Sequence, residues 1–376
     1  MKNFDVAIAG GGLIGASIAL ELARAGLRVG VFDSQEPGRE ASWAGAGILS
    51  PAPENSAMIP LVPLGKDSMA IYPEFVGMVE EISGQNAGYR PKGTLQAIFS
   101  GDAREELSTV IALHHGLGLK AEPLSARDAR ELEPSLSEDV EAGVLRPEEA
   151  SIDNRALTSA ALEAARRSGV EFFPNAEAKS IRREGSRCVG LHLKNEQIEA
   201  QWTIIAAGCY SANIEGMTAY APVRPAKGQM AALRANDLKI ERVLWSEKIY
   251  LVPRNDGRIL AGATVEYAGF DKALTAGGIE KILAAAIELS PGLSSAHVEE
   301  TWAGLRPDSP DHLPILGPTD LDGLLVATGH FRSGILLTPI TARLMREWVT
   351  DQRVRIEWER FSPLRFESAS AHSSPA

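Results

Sequence analysis

The sequence predicts an α/β fold that joins a parallel sheet flanked by helices to a second, α+β domain built on a large antiparallel sheet. Two observations support this prediction. The first 32 residues follow the strand–helix–strand order of a βαβ unit, and residues 222–267 contain short apolar segments separated by turn signals such as Asn255-Asp256-Gly257. With 376 residues, the chain is long enough for two domains.

The βαβ unit starts close to the N-terminus. An apolar strand is predicted at residues 4–9 and a helix rich in alanine and leucine at residues 13–25, with Gly26 as its C-terminal stop. A second apolar strand follows at residues 27–32. This order of elements is the first half of a Rossmann-like domain.

A glycine motif lies between the first strand and the helix. Gly10, Gly12 and Gly15 form G-x-G-x-x-G, in which the first glycine permits a tight turn, the second lets the backbone approach a pyrophosphate, and the third lets helix and strand pack closely. Asp33 ends the second strand, where its carboxylate can accept hydrogen bonds from ribose hydroxyls. The motif therefore predicts a bound dinucleotide.

Two features favour FAD over NAD as that dinucleotide. The motif begins at residue 10 and is followed by a long, irregular remainder instead of a simple continuation of the βαβ chain. Residues 41–48 are mostly small, which allows backbone to lie against a flat ring system. We therefore expect an FAD-binding Rossmann-like domain.

Later segments return to α/β patterning and predict a discontinuous domain. Helices are expected at 67–82, 102–117, 125–132, 155–168, 278–289 and 334–349, and strands at 93–99, 170–173, 177–183, 187–194, 202–206, 228–234, 249–253, 258–263 and 323–328. The FAD-binding domain is predicted to comprise residues 1–60, 141–215 and 305–366, and the substrate domain residues 61–140 and 216–304. The Ser- and Ala-rich tail, 367–376, is predicted to be disordered.

Charge and composition exclude some classes of function. The net charge of −11 disfavours nucleic-acid binding, because phosphate contacts need basic patches. The apolar run at residues 6–20 is too short to span a membrane, so no anchor is expected, and the protein is predicted to be cytoplasmic. Cys188 and Cys209 have no metal-like spacing; we expect two reduced thiols and no metal site, although a disulfide between them stays open.

Several motifs resemble the D-amino acid oxidase family of flavoproteins, and the likeness is closest to its bacterial glycine-oxidising branch, which serves thiamine synthesis. The likeness extends from Asp5 to about Trp348. Besides the glycine motif, it rests on Ala44 to Ile48, Thr203 to Gly208, Pro225 to Gln229, Tyr250 to Arg254, Trp302 to Pro307 and Gly329 to Leu336.

The resemblance implies a site for a small amino acid. Arg306, in W-x-G-x-R-P, is the expected clamp for the substrate carboxylate, since a guanidinium can bind a carboxylate through two parallel hydrogen bonds. The Tyr250 hydroxyl would support the same carboxylate, and Arg332 would lie near flavin and substrate. No residue is expected to act as a catalytic acid or base.

The expected FAD contacts come from six segments. They are Gly10, Gly12, Leu13, Ile14, Gly15, Asp33, Ser34, Ala41, Ser42, Ala46, Gly47, Ile48, Ala178, Gly208, His330, Phe331, Arg332, Ser333, Gly334, Ile335 and Leu336. The predicted helix from Gly334 would direct its N-terminal N–H groups at the flavin and stabilise the anionic reduced form. His330 is expected to contact the flavin through its backbone. No cysteine occurs at 308–317, where some relatives attach flavin covalently, so the FAD is predicted to be non-covalent.

The resemblance implies oxidative deamination by hydride transfer to the flavin, with oxygen as the second substrate. Glycine, sarcosine and small D-amino acids stay open as substrates, and Ile48, Lys248 and Val265 are positions where this sequence departs from some relatives. A D-amino acid dehydrogenase that passes electrons to a quinone is the alternative, and a non-catalytic flavin scaffold is a third reading. Relatives suggest a homo-oligomer, either dimer or tetramer.

Overall fold

The computed structural model describes residues 2–99, 101–351 and 357–366 and consists of two eight-stranded sheets with helices around them. The predicted disordered tail lies outside the described residues. The helices are α1 (Leu13–Arg24), α2 (Ala41–Ala44), α3 (Val62–Ser83), α4 (Ala103–Gly116), α5 (Ala126–Leu132), α6 (Asn154–Arg167), α7 (Ala276–Leu289) and α8 (Thr338–Thr350). Short 3₁₀ segments occur at Ser56–Leu61, Gly208–Asn213, Pro291–Ser295, Glu359–Phe361 and Pro363–Phe366.

The strands divide between the two large sheets and one short pair. They are β1 (Lys2–Ala9), β2 (Val29–Phe32), β3 (Ile48–Leu49), β4 (Thr94–Ile98), β5 (Glu122–Ser125), β6 (Ala142–Arg146), β7 (Ala150–Ser151), β8 (Glu171–Phe173), β9 (Ala178–Glu184), β10 (Arg187–Leu193), β11 (Gln197–Ile205), β12 (Arg224–Arg234), β13 (Val243–Trp245), β14 (Tyr250–Pro253), β15 (Arg258–Gly262), β16 (His297–Asp308), β17 (Ile315–Pro318) and β18 (Leu324–Thr328).

The first sheet has the order β17-β18-β11-β1-β2-β8, with β10 and β9 attached through β11. Its central strands are parallel: β1 pairs with both β2 and β11, and β11 pairs with β18. Helices α1, α3, α6 and α8 pack together in one apolar core with this sheet. The central strands are continuous apolar runs because both faces of a parallel sheet are covered.

The second sheet has the order β16-β12-β15-β14-β13-β4-β6-β5. Every pair in it is antiparallel except β13 with β4, so the sheet predicted as antiparallel is mixed. Helix α7 packs against β12 and β15. The predicted α/β class, with one largely parallel and one largely antiparallel sheet, is confirmed.

Some strands were not predicted, and the longest is β16. It pairs with β12 along 11 residue positions, from Arg224 opposite Asp308 to Arg234 opposite His297. Its first half carries Glu299 and Glu300, which hide the alternation expected of a half-buried strand. Strand β6 pairs with β4 and β5 in the second sheet, so a domain boundary at residue 141 would separate this strand from its partners. The division into domains otherwise stays a prediction.

Both cysteines are buried and unpaired with each other, as the expectation of reduced thiols required. Burial raises the pKa of the Cys209 thiol to about 12.

In the described part of the chain, no group of three or more histidine, cysteine or acidic side chains is placed to hold a metal ion. Within the same residues, no helix is both long and apolar enough to cross a membrane.

Arg254 joins the second sheet to the segment around β3. Its guanidinium donates to the carbonyl oxygen of Ala46 at 2.8 Å, to that of Ile152 at 3.1 Å, and to Oδ1 of Asn154 at 2.8 Å. Asp153 provides a more distant counter-charge, 3.8 Å away. Burial lowers the pKa of Arg254 to about 10, which still leaves it charged at neutral pH.

Replacing Arg254 with methionine is expected to lower the free energy of unfolding by about 3 kcal/mol, because three buried acceptors lose their donor. Urea denaturation of the FAD-loaded protein measures this change. The control is Lys248→Met, which removes an exposed ion pair with Glu288 and should cost less than about 1 kcal/mol. Equal losses in both variants would contradict the role assigned to Arg254.

Candidate active site

A continuous cavity lies between the two sheets and contains nearly all of the predicted contact residues. One part of its wall is the glycine turn after β1, and another is formed by Tyr250, Arg306 and Arg332. All predicted FAD contacts line this cavity except Gly15. Ile48 also lines it, whereas Lys248 and Val265 do not; Lys248 pairs with Glu288, and Val265 is 44% exposed. The two parts of the cavity are separated in the sequence by more than 200 residues and meet only in the fold.

The glycine turn has the geometry of a phosphate cradle. Gly10 has φ 106°, and a Cβ atom there would lie 2.4 Å from the carbonyl oxygen of Ala206. A Cβ atom on Gly15 would lie 2.0 Å from the oxygen of Gly10, which explains why Gly15 supports the turn without reaching the cavity. Gly12 is the N-cap of α1 and has no side chain to cap the helix, so the N-terminus of α1 faces the cavity, where only the Leu13 N–H is bound by a side chain, that of Ser42.

Asp33 braces this turn as well as lining the cavity. Its Oδ2 accepts the Gly11 N–H at 2.7 Å, and its Oδ1 accepts the Gln35 N–H at 3.0 Å. The Ser42 hydroxyl accepts the Leu13 N–H at 2.8 Å. The glycine cradle and the helix N-terminus suit the pyrophosphate of a dinucleotide, and the adjacent Asp33 carboxylate suits its ribose.

The small residues of the 41–48 segment are required by close packing. Gly47 has φ 72°, and a Cβ atom there would lie 2.0 Å from the oxygen of Ile152. Gly304 of β16 leaves room for Ala44, whose Cβ would be 2.3 Å from an added Cβ. The Trp302 indole N–H donates to the Ala44 carbonyl at 3.0 Å. These contacts hold the backbone of the segment along the cavity wall.

The part of the cavity wall formed by residues 330–336 differs from the prediction in where its helix begins. Helix α8 begins at Thr338, not at Gly334, and has Pro339 in its first turn, the position where proline is favoured. Residues 331–337 are turns in which the Leu337 N–H donates to the Ser333 oxygen at 2.8 Å. The predicted helix N-terminus at Gly334 is therefore wrong, and the cavity is lined there by turn backbone ahead of the helix.

Two side chains of α3 support this turn. The Ser68 hydroxyl donates to the Leu336 carbonyl at 2.6 Å, and the Tyr72 hydroxyl donates to the Ile335 carbonyl at 3.0 Å. Both side chains are fully buried. The turn is thus fixed by α3 as well as by its own hydrogen bonds.

His330 is buried in this turn and is held by Thr341, with 3.0 Å between Nε2 and Oγ1. Burial lowers its pKa from 6.5 to about 3. His330 is therefore expected to be neutral at neutral pH.

His330 is also expected to make stability depend on pH. The unfolded chain binds a proton at His330 near pH 6.5, whereas the native state does so only near pH 3, so stability is lost as the pH falls below 6.5. Between pH 8 and pH 5, the wild type should lose about 2 kcal/mol that His330→Gln retains. Urea denaturation of both proteins at the two pH values measures the difference, and identical pH dependences would refute it.

The Arg306 side chain extends from β16 and lies beside Tyr250 of β14, which was predicted to bind the same carboxylate. Its Nη1 donates to the Thr264 carbonyl at 3.2 Å, and burial lowers its pKa, against the opposing effect of the Tyr250 hydroxyl. Gly228 is a glycine for this reason: a Cβ atom there would lie 2.3 Å from Nη1 of Arg306. Tyr250, 8% exposed, contacts Sδ of Met230 at 3.4 Å through its hydroxyl. The fold thus brings Arg306 and Tyr250 together in the cavity.

Arg332 has a partner that sequence reasoning missed. Its Nη1 lies 2.6 Å from Oε2 of Glu54, which also lines the cavity. Glu54 follows Pro53 in an irregular loop where no periodicity marks an inward-facing position. Only its nearness to the predicted small-residue segment could have drawn attention to it. Other lining residues that were not predicted include Ser50, Met58, Met230 and Trp245.

The fold and the glycine cradle define a dinucleotide-binding protein, and comparison with known proteins identifies it as a flavoprotein. The family described as FAD dependent oxidoreductase matches residues 5–348, so the chain belongs to this family, and FAD is its cofactor. The resemblance inferred from the motifs is confirmed.

Among individual proteins, the chain is similar to glycine oxidases. It is 32% identical to the glycine oxidase of Geobacillus kaustophilus over 96% of this chain and 97% of that protein, and the crystal structure of that enzyme superposes with a TM-score of 0.92 over 97% and 99% of the two chains. It is 36% identical, over 93% of its length, to the bifunctional protein ThiO/ThiG of Trichormus variabilis. The chain spans about half the length of the ThiO/ThiG proteins it matches, 53% in this case.

Proposed function

We propose that this protein oxidises glycine to glyoxylate, ammonia and hydrogen peroxide, with oxygen as electron acceptor and with sarcosine and small D-amino acids as further substrates. The observation that carries the proposal is the Arg306 guanidinium beside Tyr250, in the same cavity as the glycine cradle. A half-buried guanidinium with N–H groups available for further hydrogen bonds favours an anionic partner, and a substrate carboxylate provides one. The similarity to glycine oxidases supports the choice of substrate.

The chain's own residues would bind and orient the substrate. Bound FAD would supply the acceptor for the hydride that leaves the substrate Cα. Arg306 holds the carboxylate through paired hydrogen bonds, with the Tyr250 hydroxyl beside it. The apolar cluster around Tyr250, which includes Met230 and Trp302, limits the room for a side chain and keeps water away. His330, neutral and bonded to Thr341, takes no part in proton transfer. Water completes the reaction by hydrolysing the imine.

The finer predictions from the sequence belong to the same proposal. The FAD contacts are proposed to be the residues predicted above that line the cavity, and the FAD is proposed to be held non-covalently. The protein is proposed to be a cytoplasmic homo-oligomer, a dimer or tetramer. The similarity to ThiO/ThiG supports a place in the thiazole branch of thiamine synthesis.

The test is peroxide release in air from the purified, FAD-loaded protein with glycine, sarcosine, D-alanine and L-alanine. Peroxide from glycine and little from L-alanine would support the proposal. Bleaching of the flavin by substrate without oxygen, and little peroxide in air, would replace it with a dehydrogenase that uses another acceptor. A flavin spectrum that no amino acid changes would overturn it.

A further inference from the structure

The cavity contains two arginines, although a glycine carboxylate needs one. Arg306 comes from β16, and Arg332 comes from the turn before α8. Both line the cavity, and the charge of Arg332 is one of the causes that lower the pKa of Arg306. The two cations are therefore close enough to interact.

Glu54 neutralises one of these two charges. Its Oε2 lies 2.6 Å from Nη1 of Arg332, a distance typical of a strong charge-assisted contact. The side chains of Arg332 and Glu54 are 23% and 27% exposed, so the pair is largely shielded from solvent. Burial raises the pKa of Glu54, while Arg332 first and Arg306 second oppose that rise. Glu54 thus lies in the field of both arginines but pairs with Arg332.

The backbone before and after Glu54 fixes its position. Pro51 and Pro53 restrict the chain on the N-terminal side, and the Asn55 side chain accepts the Ala57 N–H at 3.0 Å on the C-terminal side. The Ser50 hydroxyl donates to Oε1 of the buried Glu149 at 2.5 Å, which anchors the start of the segment. The Glu54 carboxylate is therefore presented to Arg332 by a constrained loop.

We propose that Arg332 is a second carboxylate-binding position, occupied by the protein's own Glu54, and that Glu54 thereby restricts the enzyme to substrates with one carboxylate. This inference rests on the proposed function, because it assumes that Arg306 binds the first carboxylate. The three side chains together carry one net positive charge, which matches one substrate carboxylate. A small amine with two carboxylates would meet the charge of Glu54 where its second carboxylate needs a cation.

The experiment compares wild type with Glu54→Gln and Glu54→Ala, all FAD-loaded. Binding of acetate, malonate and succinate, followed through the visible flavin spectrum, tests the site without turnover. Turnover of glycine and of iminodiacetate provides the second readout. In the variants, affinity for malonate or succinate relative to acetate should rise roughly 10- to 100-fold, and kcat/KM for iminodiacetate relative to glycine should rise similarly, since Arg332 gains an ionic partner from the ligand.

Two controls separate this effect from a general loss of negative charge. Glu177→Gln removes another acidic side chain that lines the cavity, next to Ala178, and should leave the dicarboxylate-to-acetate ratio unchanged. Glu54→Gln combined with Arg332→Met should lose the gain, because the receiving cation is absent. A gain that persists in this double variant would overturn the proposal.

Two further outcomes would also overturn it. Equal tightening of acetate and both dicarboxylates would show a non-specific charge effect, and unchanged ratios in both Glu54 variants would show that Arg332 does not receive a carboxylate. The experiment can refute the proposed function and the role of Arg332 and Glu54 independently of each other. A wild type that neither oxidises glycine nor binds acetate refutes the proposed function, whereas the dicarboxylate titrations of the variants still report on Arg332.

Discussion

Replacing Arg306 with alanine is expected to lower kcat/KM for glycine by about 30- to 1000-fold, equivalent to roughly 2–4 kcal/mol. The reason is the loss of the paired hydrogen bonds to the substrate carboxylate in a cavity that provides few alternatives. The Arg306 guanidinium donates to the Thr264 carbonyl through Nη1 at 3.2 Å, which leaves its other N–H groups available for a substrate carboxylate. Steady-state peroxide release over a range of glycine concentrations measures the change.

The matched control is Arg234→Ala, on the paired strand β12. Arg234 forms a surface ion pair with Glu299 on β16, and its removal should change kcat/KM by less than about threefold. The FAD content of both variants should equal that of wild type, because Arg306 is assigned to the substrate and not to the cofactor. An Arg306→Ala enzyme with wild-type kcat/KM for glycine would remove the basis of the proposed function.

Replacing Gly12 with valine is expected to abolish retention of FAD while the chain still folds. Within 4 Å, a Cβ atom at Gly12 would meet only the Ser42 hydroxyl, at 3.2 Å, so a shift of that side chain by a few tenths of an ångström makes room for it. That side chain would occupy the place where the pyrophosphate approaches the N-terminus of α1. The ratio of flavin to protein absorbance after purification measures retention, and far-ultraviolet circular dichroism measures folding.

Gly77→Val is the control for this variant. Gly77 is exposed on α3, and an added Cβ atom there meets nothing within 4 Å, so FAD retention should match wild type. A Gly12→Val protein that purifies with a full complement of FAD would contradict the cradle assigned to residues 10–15. Loss of the folded signal instead would show that Ser42 cannot yield.

Local patterns predicted the parts of the protein that depend on neighbours in the sequence. The βαβ unit, the glycine turn and the helices α3, α6 and α7 follow from apolar spacing and stop signals, which act over a few residues. Strand β16 depends on β12, some 70 residues earlier, and its charged first half conceals it. The predicted start of α8 is four residues too early, because the turn at 331–337 is held by two side chains of α3 in addition to its own hydrogen bonds.

The site divides in the same way. The sequence by itself determined a dinucleotide cradle at Gly10, Gly12 and Gly15, because backbone conformation and helix termini impose their residue types locally. Resemblance indicated Arg306 and Tyr250, but only the tertiary structure decided that they share the cavity of that cradle. The pairing of Arg332 with Glu54 joins residues 278 positions apart and has no local signature. Ion pairs of this kind depend on where two loops meet in space, which no short stretch of sequence encodes.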